Sequence, residues 1–249
     1  MVKSTIKRVV GALGYDLRRR TPEHNPLHGL VQALTYHRVD LVLDVGANAG
    51  QFAAGLRSAG FAGRIVSFEP LEQAYAQLVM RAAGDENWVV HERGALGAQC
   101  GEVSINVAGN SVSSSILPMM DAHSSVATNS SYVGVQRVPL FTLDSIEERY
   151  LSGVARPFLK VDAQGFEGPV LDGAVSSLRR MCGVMCEMSL LPLYEGQVLW
   201  LEMIQRLESA GLELWSLRPG FSDRVKGRTL QIDASFFRRN DAAGDRSDS

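Results

Sequence analysis

The chain has 249 residues, a formal net charge of −2 and 45% apolar content. That length holds one substantial α/β domain and is short for two, and the near-neutral charge excludes a dedicated nucleic-acid binder. No apolar run approaches the ~18 residues that cross a bilayer, and the amino terminus lacks the apolar core and small-residue cleavage site of a signal peptide.

Cysteines are few: Cys100, Cys182 and Cys186. The count fits a reducing, cytoplasmic setting. Cys182 and Cys186 fall around an apolar strand-like segment with no partner pair, which reads as buried thiols rather than as half of a metal site.

Residues 1–38 form a helical segment by pattern. Ile6, Val9, Val10, Leu13 and Leu17 share a face at helical spacing, and Lys3, Lys7, Arg8 and Arg18 to Arg20 make it basic. Two readings stay open, a helix resting peripherally on anionic membrane lipid and a helix packed on its own domain or a partner subunit. A second helix is expected over roughly Pro26 to His37. From 39 to 239 strands and helices alternate. Leu41–Val45, Arg64–Phe68 and Trp88–Val90 read as strands, with helices over Gly50–Ala59 and Leu71–Ala82 between them, a βαβαβ rhythm that implies a parallel sheet. Glu102–Val107 and Val135–Leu140 are further strands around a Ser/Asn-rich stretch, 108–134. Then come strand Phe158–Val161, helix Gly168–Arg179, strand Val184–Met188, helix Gln197–Ala210, and strands Leu212–Leu217 and Gln231–Phe237. The polar tail 240–249 is expected to be disordered.

Chemistry enters at Asp44-Val45-Gly46-Ala47-Asn48-Ala49-Gly50. Here an apolar strand runs into a glycine turn and a helix starts at once. Gly46 permits the tight turn, Gly50 lets the helix approach the sheet, and the helix start offers backbone N–H groups to a nucleotide-like ligand. The next strand ends in Glu69, placed to accept hydrogen bonds from ribose hydroxyls. A dinucleotide prefers a third glycine in this frame, and Asp44 would repel its pyrophosphate. S-adenosylmethionine, with an ammonium and a cationic sulfur, suits that acid better. No Tyr-x-x-x-Lys relay supports oxidoreduction by a nicotinamide cofactor.

DVGANAG, then SFEP (Ser67 to Pro70), FTLDSI (Phe141 to Ile146) and LKVDAQGFEGPVLDGA (Leu159 to Ala174) resemble the FkbM-type methyltransferases. In the last segment Lys160, Asp162, Gly165, Glu167, Leu171 and Gly173 match the family's K-x-D-x-x-G-x-E-x-x-x-L-x-G pattern. The resemblance implies a Rossmann-like, seven-stranded sheet with helices on both faces and an antiparallel last strand. It also implies S-adenosylmethionine as methyl donor and O-methylation of sugar or polyketide hydroxyls. With the basic amino-terminal helix, the chain is similar to sugar O-methyltransferases of bacterial cell-envelope glycolipids, such as those of mycobacteria. Carried over by residue, it puts Asp44, Gly46, Asn48 and Gly50 at the methionine end of the cofactor, Glu69 on its ribose, and Gly94, Ala95 and Leu96 along its adenine. Gln164 departs from the family, which often has an acid at that place.

A sugar hydroxyl is a poor nucleophile whose proton needs a base or a Lewis acid. Asp162 and Glu187 end the fourth and fifth strands at the carboxyl edge, beside the cofactor. Two carboxylates there, with the Gln164 amide near, are expected to hold Mg²⁺. The rival is metal-free transfer with Asp162 or His123 taking the proton. Blander expectations stand beside these. Asp162 and Glu167 are helix-cap acids, Glu187 is paired to a basic side chain, and His123 and Ser113 to Ser115 belong to a solvated loop. Trp200 and Trp215 are core. The stretch 108–134 is expected to cover the acceptor, which is a glycolipid, another hydroxyl-bearing small molecule, or a polyketide or lipid hydroxyl. A non-catalytic binding subunit is the remaining alternative.

Overall fold

The computed structural model describes residues 25–239, together with 8, 10–12 and 14. Arg8 and residues 10–12 are helical. Ile6, Val9, Leu13 and Leu17, and the tail from 240, lie outside the described residues. No helix among the described residues is long and apolar enough to cross a membrane.

Seven strands form the main sheet: β1 (Leu41–Val45), β2 (Arg64–Phe68), β3 (Trp88–Val90), β7 (Pro157–Val161), β8 (Gly183–Ser189), β9 (Leu212–Pro219) and β12 (Gln231–Arg238). Their order is β3-β2-β1-β7-β8-β12-β9. β1 pairs in parallel with β2 and β7, and β7 with β8. Only β12 runs against its neighbours β8 and β9. This is the doubly wound sheet, antiparallel last strand included, that the family resemblance implies.

Strand parity explains the layers, because successive side chains on a strand face opposite sides. Leu41, Leu43, Val45, Leu159 and Val161 pack with one set of helices: α5 (Leu143–Leu151), α6 (Glu167–Asp172), α7 (Val175–Arg180) and α8 (Trp200–Ser209). Val42, Ile65, Phe158 and Met185 face α1 (His28–Tyr36), α2 (Gln51–Ser58) and α3 (Glu72–Ala82) on the other side. β1 and β7 are buried along their whole length, as expected of parallel strands covered on both faces.

Four features differ from the sequence reading. A second, three-stranded sheet, β4 (Ala95–Leu96), β6 (Tyr132–Phe141) and β5 (Gly101–Ala108), stands apart from the main one and packs on Leu71 and Ala74. The single helix expected over 168–179 is two, α6 and α7, broken at Gly173. A Cβ on that glycine would sit 1.9 Å from the Gly97 carbonyl oxygen, so backbone contact ends the first helix. A short hairpin, β10 (Ser222–Asp223) with β11 (Arg228–Thr229), precedes β12. Trp215 is no core residue. It lies on the sheet's edge strand β9, 48% exposed and stacked on Tyr36. Trp200 is partly buried against the core, and Cys182 and Cys186 are buried.

The glycine turn after β1 is seated directly on the end of β7. Gly46 has φ +72°, and a Cβ there would lie 1.8 Å from the backbone oxygen of Asp162. Gly46→Ala therefore meets both a left-handed conformation and an immovable carbonyl. We expect it to lower the urea midpoint by an amount equivalent to several kcal/mol, placing it in the diagnostic tail of single substitutions. A midpoint within 0.5 kcal/mol equivalent of the parent would mean that the turn and β7 separate freely.

Candidate active site

Along one row of the central strands the residues are polar although they are buried. Ser67, Asp44 and Lys160 are register partners on β2, β1 and β7, and all three are buried. The Trp88 indole Nε1 donates to Ser67 Oγ (3.0 Å), and Ser67 Oγ donates to Asp44 Oδ2 (3.2 Å). Lys160 Nζ lies 3.1 Å from Asp44 Oδ1 and 3.5 Å from Asp162 Oδ2. It also donates to the carbonyls of Val45 (3.2 Å) and Gly46 (3.0 Å) and sits over the Phe52 ring. Burial alone would lower its pKa, but the Asp44 and Asp162 carboxylates outweigh that and hold it above the ordinary lysine value.

A cavity of about 1060 Å³ opens at the carboxyl edge of this sheet. Gly46, Asn48, Glu69, Gly94, Ala95 and Leu96 line one end. Glu69 takes one backbone N–H on each oxygen, from Asn48 to Oε2 and from Leu71 to Oε1, both at 2.8 Å. Each oxygen keeps a lone pair for a ligand. Burial pushes this carboxyl up to about 7, against the pull of those two N–H groups. Phe68, Leu71 and the β4 backbone complete an apolar slot beside it. A flat purine with a ribose diol fits this donor and acceptor set.

Asp44 and Gly50 do not line the cavity. Asp44 lies behind the turn, its charge met by Lys160, so it presents no acid to a ligand's ammonium. Gly50 has φ +80°, and its missing side chain makes room for Leu78 and the Trp88 ring. Both residues shape the turn from beneath.

The other end is polar. Asp162 and Glu187 do converge there, as adjacent strand ends should, but an amide fills the gap. Gln164 Nε2 donates to Asp162 Oδ1 (2.9 Å) and to Glu187 Oε2 (2.8 Å). Gln231 Nε2 adds a third donor, 2.7 Å from the same Glu187 oxygen. The Mg²⁺ expectation is corrected on this geometry. The carboxylates face N–H donors and the Lys160 ammonium, which repel a cation and take the lone pairs it would need. Among the described residues no group of three or more His, Cys, Asp or Glu side chains is arranged to hold a metal. Among the described residues no basic side chain lies within ion-pair distance of Glu187. Burial, with Asp162 and Glu167 nearby, raises its pKa well above the usual carboxylate range.

Glu167 pins the 163–165 turn rather than capping its helix. Its Oε1 accepts from the N–H groups of Ala163 (2.8 Å) and Gly165 (3.1 Å). Burial raises its carboxyl to about 7.

The 108–134 stretch walls the cavity. Residues 110–116, His123 and residues 125–128 line it, and backbone bridges Asn106↔Ser115 and Met119↔Tyr194 tie it to the fold. His123 is not a solvated loop residue. It sits in the short helix α4 (Asp121–Ser124), 3% exposed. Ser113 and Ser115 are buried too, and Ser115 Oγ donates to the Gln164 carbonyl at 2.6 Å.

Two residues next to this wall escaped the sequence reading. Tyr194 follows β8, and its hydroxyl lies 3.0 Å from Gln164 Oε1 and 3.4 Å from His123 Nε2. Gln231 begins β12. An antiparallel strand starts where its parallel neighbours end, so its first residue belongs to the same edge, and that rule could have found it.

The family model described as the methyltransferase FkbM domain matches residues 44–214. No curated protein matches the chain. Among solved structures the chain is similar to fibrillarin from Aeropyrum pernix, determined with natively bound S-adenosyl-L-methionine. That match has 12% identity and a TM-score of 0.44, and covers 79% of this chain and 66% of that one. A similarity to an rRNA methylase from Streptococcus thermophilus has 12% identity and a TM-score of 0.44, covering 89% and 99%. One to precorrin-6y methyltransferase from Geobacter metallireducens has 11% identity and a TM-score of 0.39, covering 85% and 87%. Likenesses this distant assign no substrate.

The buried row generates a stability prediction. Lys160→Met removes the cation and leaves Asp44 without its counter-charge in the sheet centre. Breaking a buried pair this way costs about 3–5 kcal/mol. Urea unfolding of the variant should show that loss, and Asp44→Asn in the same chain should recover part of it. A single variant as stable as the parent would refute the role given to the pair.

Proposed function

Because this chain belongs to the methyltransferase FkbM family, whose domain model spans well over half of it, we propose that its cavity seats S-adenosylmethionine beside a sugar hydroxyl and transfers the methyl group to that oxygen. Family membership makes the chain an S-adenosylmethionine-dependent methyltransferase. We infer that the acceptor is a glycolipid or its precursor, with a polyketide or lipid hydroxyl as the alternative.

One observation supports the reading above others, the division of a single cavity into two chemically different ends. Pockets of ~300–1,000 Å³ hold one drug-sized ligand, so about 1060 Å³ leaves room for a donor and part of an acceptor. Glu69, Asn48 and the Gly94–Leu96 wall suit the donor's ribose and adenine. The far end offers Asn110, Ser111, Ser114 and Gln231, neutral groups that donate and accept, beside the charged Asp162, Glu187, Arg224 and Lys226. That is the complement of a polyol. In-line displacement at a sulfonium methyl gains most from alignment of its partners, and a cavity shared by both ligands provides it.

Incubation of the chain with methyl-labelled S-adenosylmethionine and a panel of octyl glycosides tests the proposal. A labelled ether, stable to alkali, is the expected product. Label recovered only on nitrogen or sulfur nucleophiles would overturn it. Glu69 gives a second check. Ribose hydroxyls donate to the ionised carboxylate, whose pKa is about 7 in the empty protein. S-adenosylmethionine affinity should therefore weaken as pH falls from 8 to 6 and be stronger on the alkaline side. Glu69→Ala should lose about 1.5–3 kcal/mol of binding by calorimetry. Unchanged affinity in that variant would remove Glu69 from the ribose.

A further inference from the structure

Between β10 and β11 the chain reads Arg224-Val225-Lys226-Gly227, with Arg228 following. Ser222 and Asp223 pair with Thr229 and Arg228, so those four residues form the tip of a hairpin. The tip has a fixed shape. Asp223, itself buried, accepts the backbone N–H groups of Val225 (2.9 Å) and Lys226 (3.1 Å) on one oxygen, and its other oxygen lies 3.7 Å from Lys226 Nζ. The base of the hairpin is tied to the fold. Gly220 N–H donates to the Gln231 carbonyl, and the N–H groups of Leu230 and Gln231 donate to that of Phe221. The Phe221 ring packs beside His123, 5.2 Å between centroids.

This anchored tip presents its valine to solvent. Val225 is 96% exposed, so its side chain adds nothing to the packing of the fold. A lone exposed apolar residue calls for no explanation. Here a second one, Val112, 52% exposed, lines the same cavity from the 108–134 wall. The exposed residues that line this cavity are those two valines, the cations Arg224 and Lys226, and a glycine, a serine and a threonine, with no acid among them. Arg224 has neither a hydrogen bond nor an ion pair among the described residues, and Arg228 is exposed at the foot of the tip. The acids of the region stand back. Asp223 is buried and taken up by the tip, Asp162 and Glu187 are half-buried at the strand ends, and the exposed Asp121 starts α4 without lining the cavity.

We propose that this rim rests on an anionic lipid bilayer, with Val225 and Val112 dipping into the interfacial layer and Arg224, Lys226 and Arg228 on lipid phosphates. Charge complementarity carries the choice of partner. Cations near an anionic leaflet are drawn to it, and apolar side chains set between them gain by leaving water, the combination that seats a protein at a membrane interface. A soluble polyanion would engage the cations and leave the valines wet. Seated this way, the mouth of the cavity faces the bilayer, and the head of an amphiphilic acceptor enters while its tail stays in lipid. That use of the surface rests on the hydroxyl-acceptor reading above; the contact itself does not.

Co-sedimentation of the full chain with vesicles of equal parts phosphatidylglycerol and phosphatidylcholine measures the contact without donor or acceptor. The parent should partition onto these vesicles and not onto pure phosphatidylcholine. Arg224→Ser combined with Lys226→Ser should lower partitioning about 25-fold, roughly fivefold per cation, and Val225→Asp about tenfold, each with a parental thermal midpoint. A parent that stays in solution, or hairpin variants that bind as the parent does, overturn the proposal. So does a loss confined to Lys3→Ser combined with Lys7→Ser, which would assign the contact to the amino-terminal segment. Should a hairpin variant fail to fold, a polarity-sensitive dye on Val225→Cys, in a Cys100→Ser background, reads the contact directly and should shift to the blue on the mixed vesicles. No shift overturns the proposal, as does an equal shift with glycerol phosphate in solution, which would make the partner a soluble anion. Should no glycoside be methylated, the hydroxyl-acceptor reading fails on its own account, and the vesicle result still decides the contact.

Discussion

A buried lysine ammonium sits at the centre of the sheet, and the neighbouring structure is arranged around it. Lys160 is held by Asp44 from the adjacent strand, by Asp162 beyond the end of its own strand, and by two carbonyls of the glycine turn. A buried pair of this kind gains little net stability over apolar side chains, because desolvation offsets its attraction. What it contributes is position. Four oxygens converging on one nitrogen hold the end of β1, the turn after it and the end of β7 to a single geometry. Those three pieces form the floor of the cavity.

The amide of Gln164 plays a comparable part on the acceptor side. Two carboxylates within reach of each other repel, and either a proton, a cation or a neutral donor must separate them. An NH₂ group does so without adding charge, whereas the acid common at this place in the family would put a third carboxylate into the same space. The amide also has a second end, and its oxygen carries the order of the carboxylate pair outward to Tyr194 and His123. One side chain therefore couples the strand ends to the 108–134 wall, some distance along the chain from either.

The antiparallel last strand followed from the family resemblance; local motifs and strand parity were enough to read the alternating parallel strands, Glu69 at a strand tip and the meeting of Asp162 with Glu187. Each depends on periodicity or on the rule that parallel strands end at one edge. What stayed hidden depends on cross-strand partners. Asp44 reads as a ligand group when its sequence neighbours are considered alone. Its register partner, Lys160, shows it to be half of an ion pair. The same holds for Asp162 and Glu187, which suggest a metal until the Gln164 amide is found between them. His123 looked solvated because a Ser-rich stretch reads as loop, yet tertiary contacts with Tyr194 and Phe221 bury it. The break between α6 and α7 was invisible for a related reason: the Gly97 backbone that enforces it is remote in sequence.

The separation of Lys160 from its partners also bears on how the chain reaches this state. Lys160 and Val45, joined by a hydrogen bond, stand 115 residues apart. Closing a loop that long precedes any reward from the contact, and topologies dominated by such pairings assemble slowly. During synthesis the ribosome releases β1, β2 and β3 well before β7 appears. Until then the Asp44 carboxylate has no counter-charge, and the sheet cannot seal around it without a penalty. Closing the first half of the sheet over Asp44 before β7 arrives is thereby disfavoured, since it would bury a carboxylate with no cation beside it.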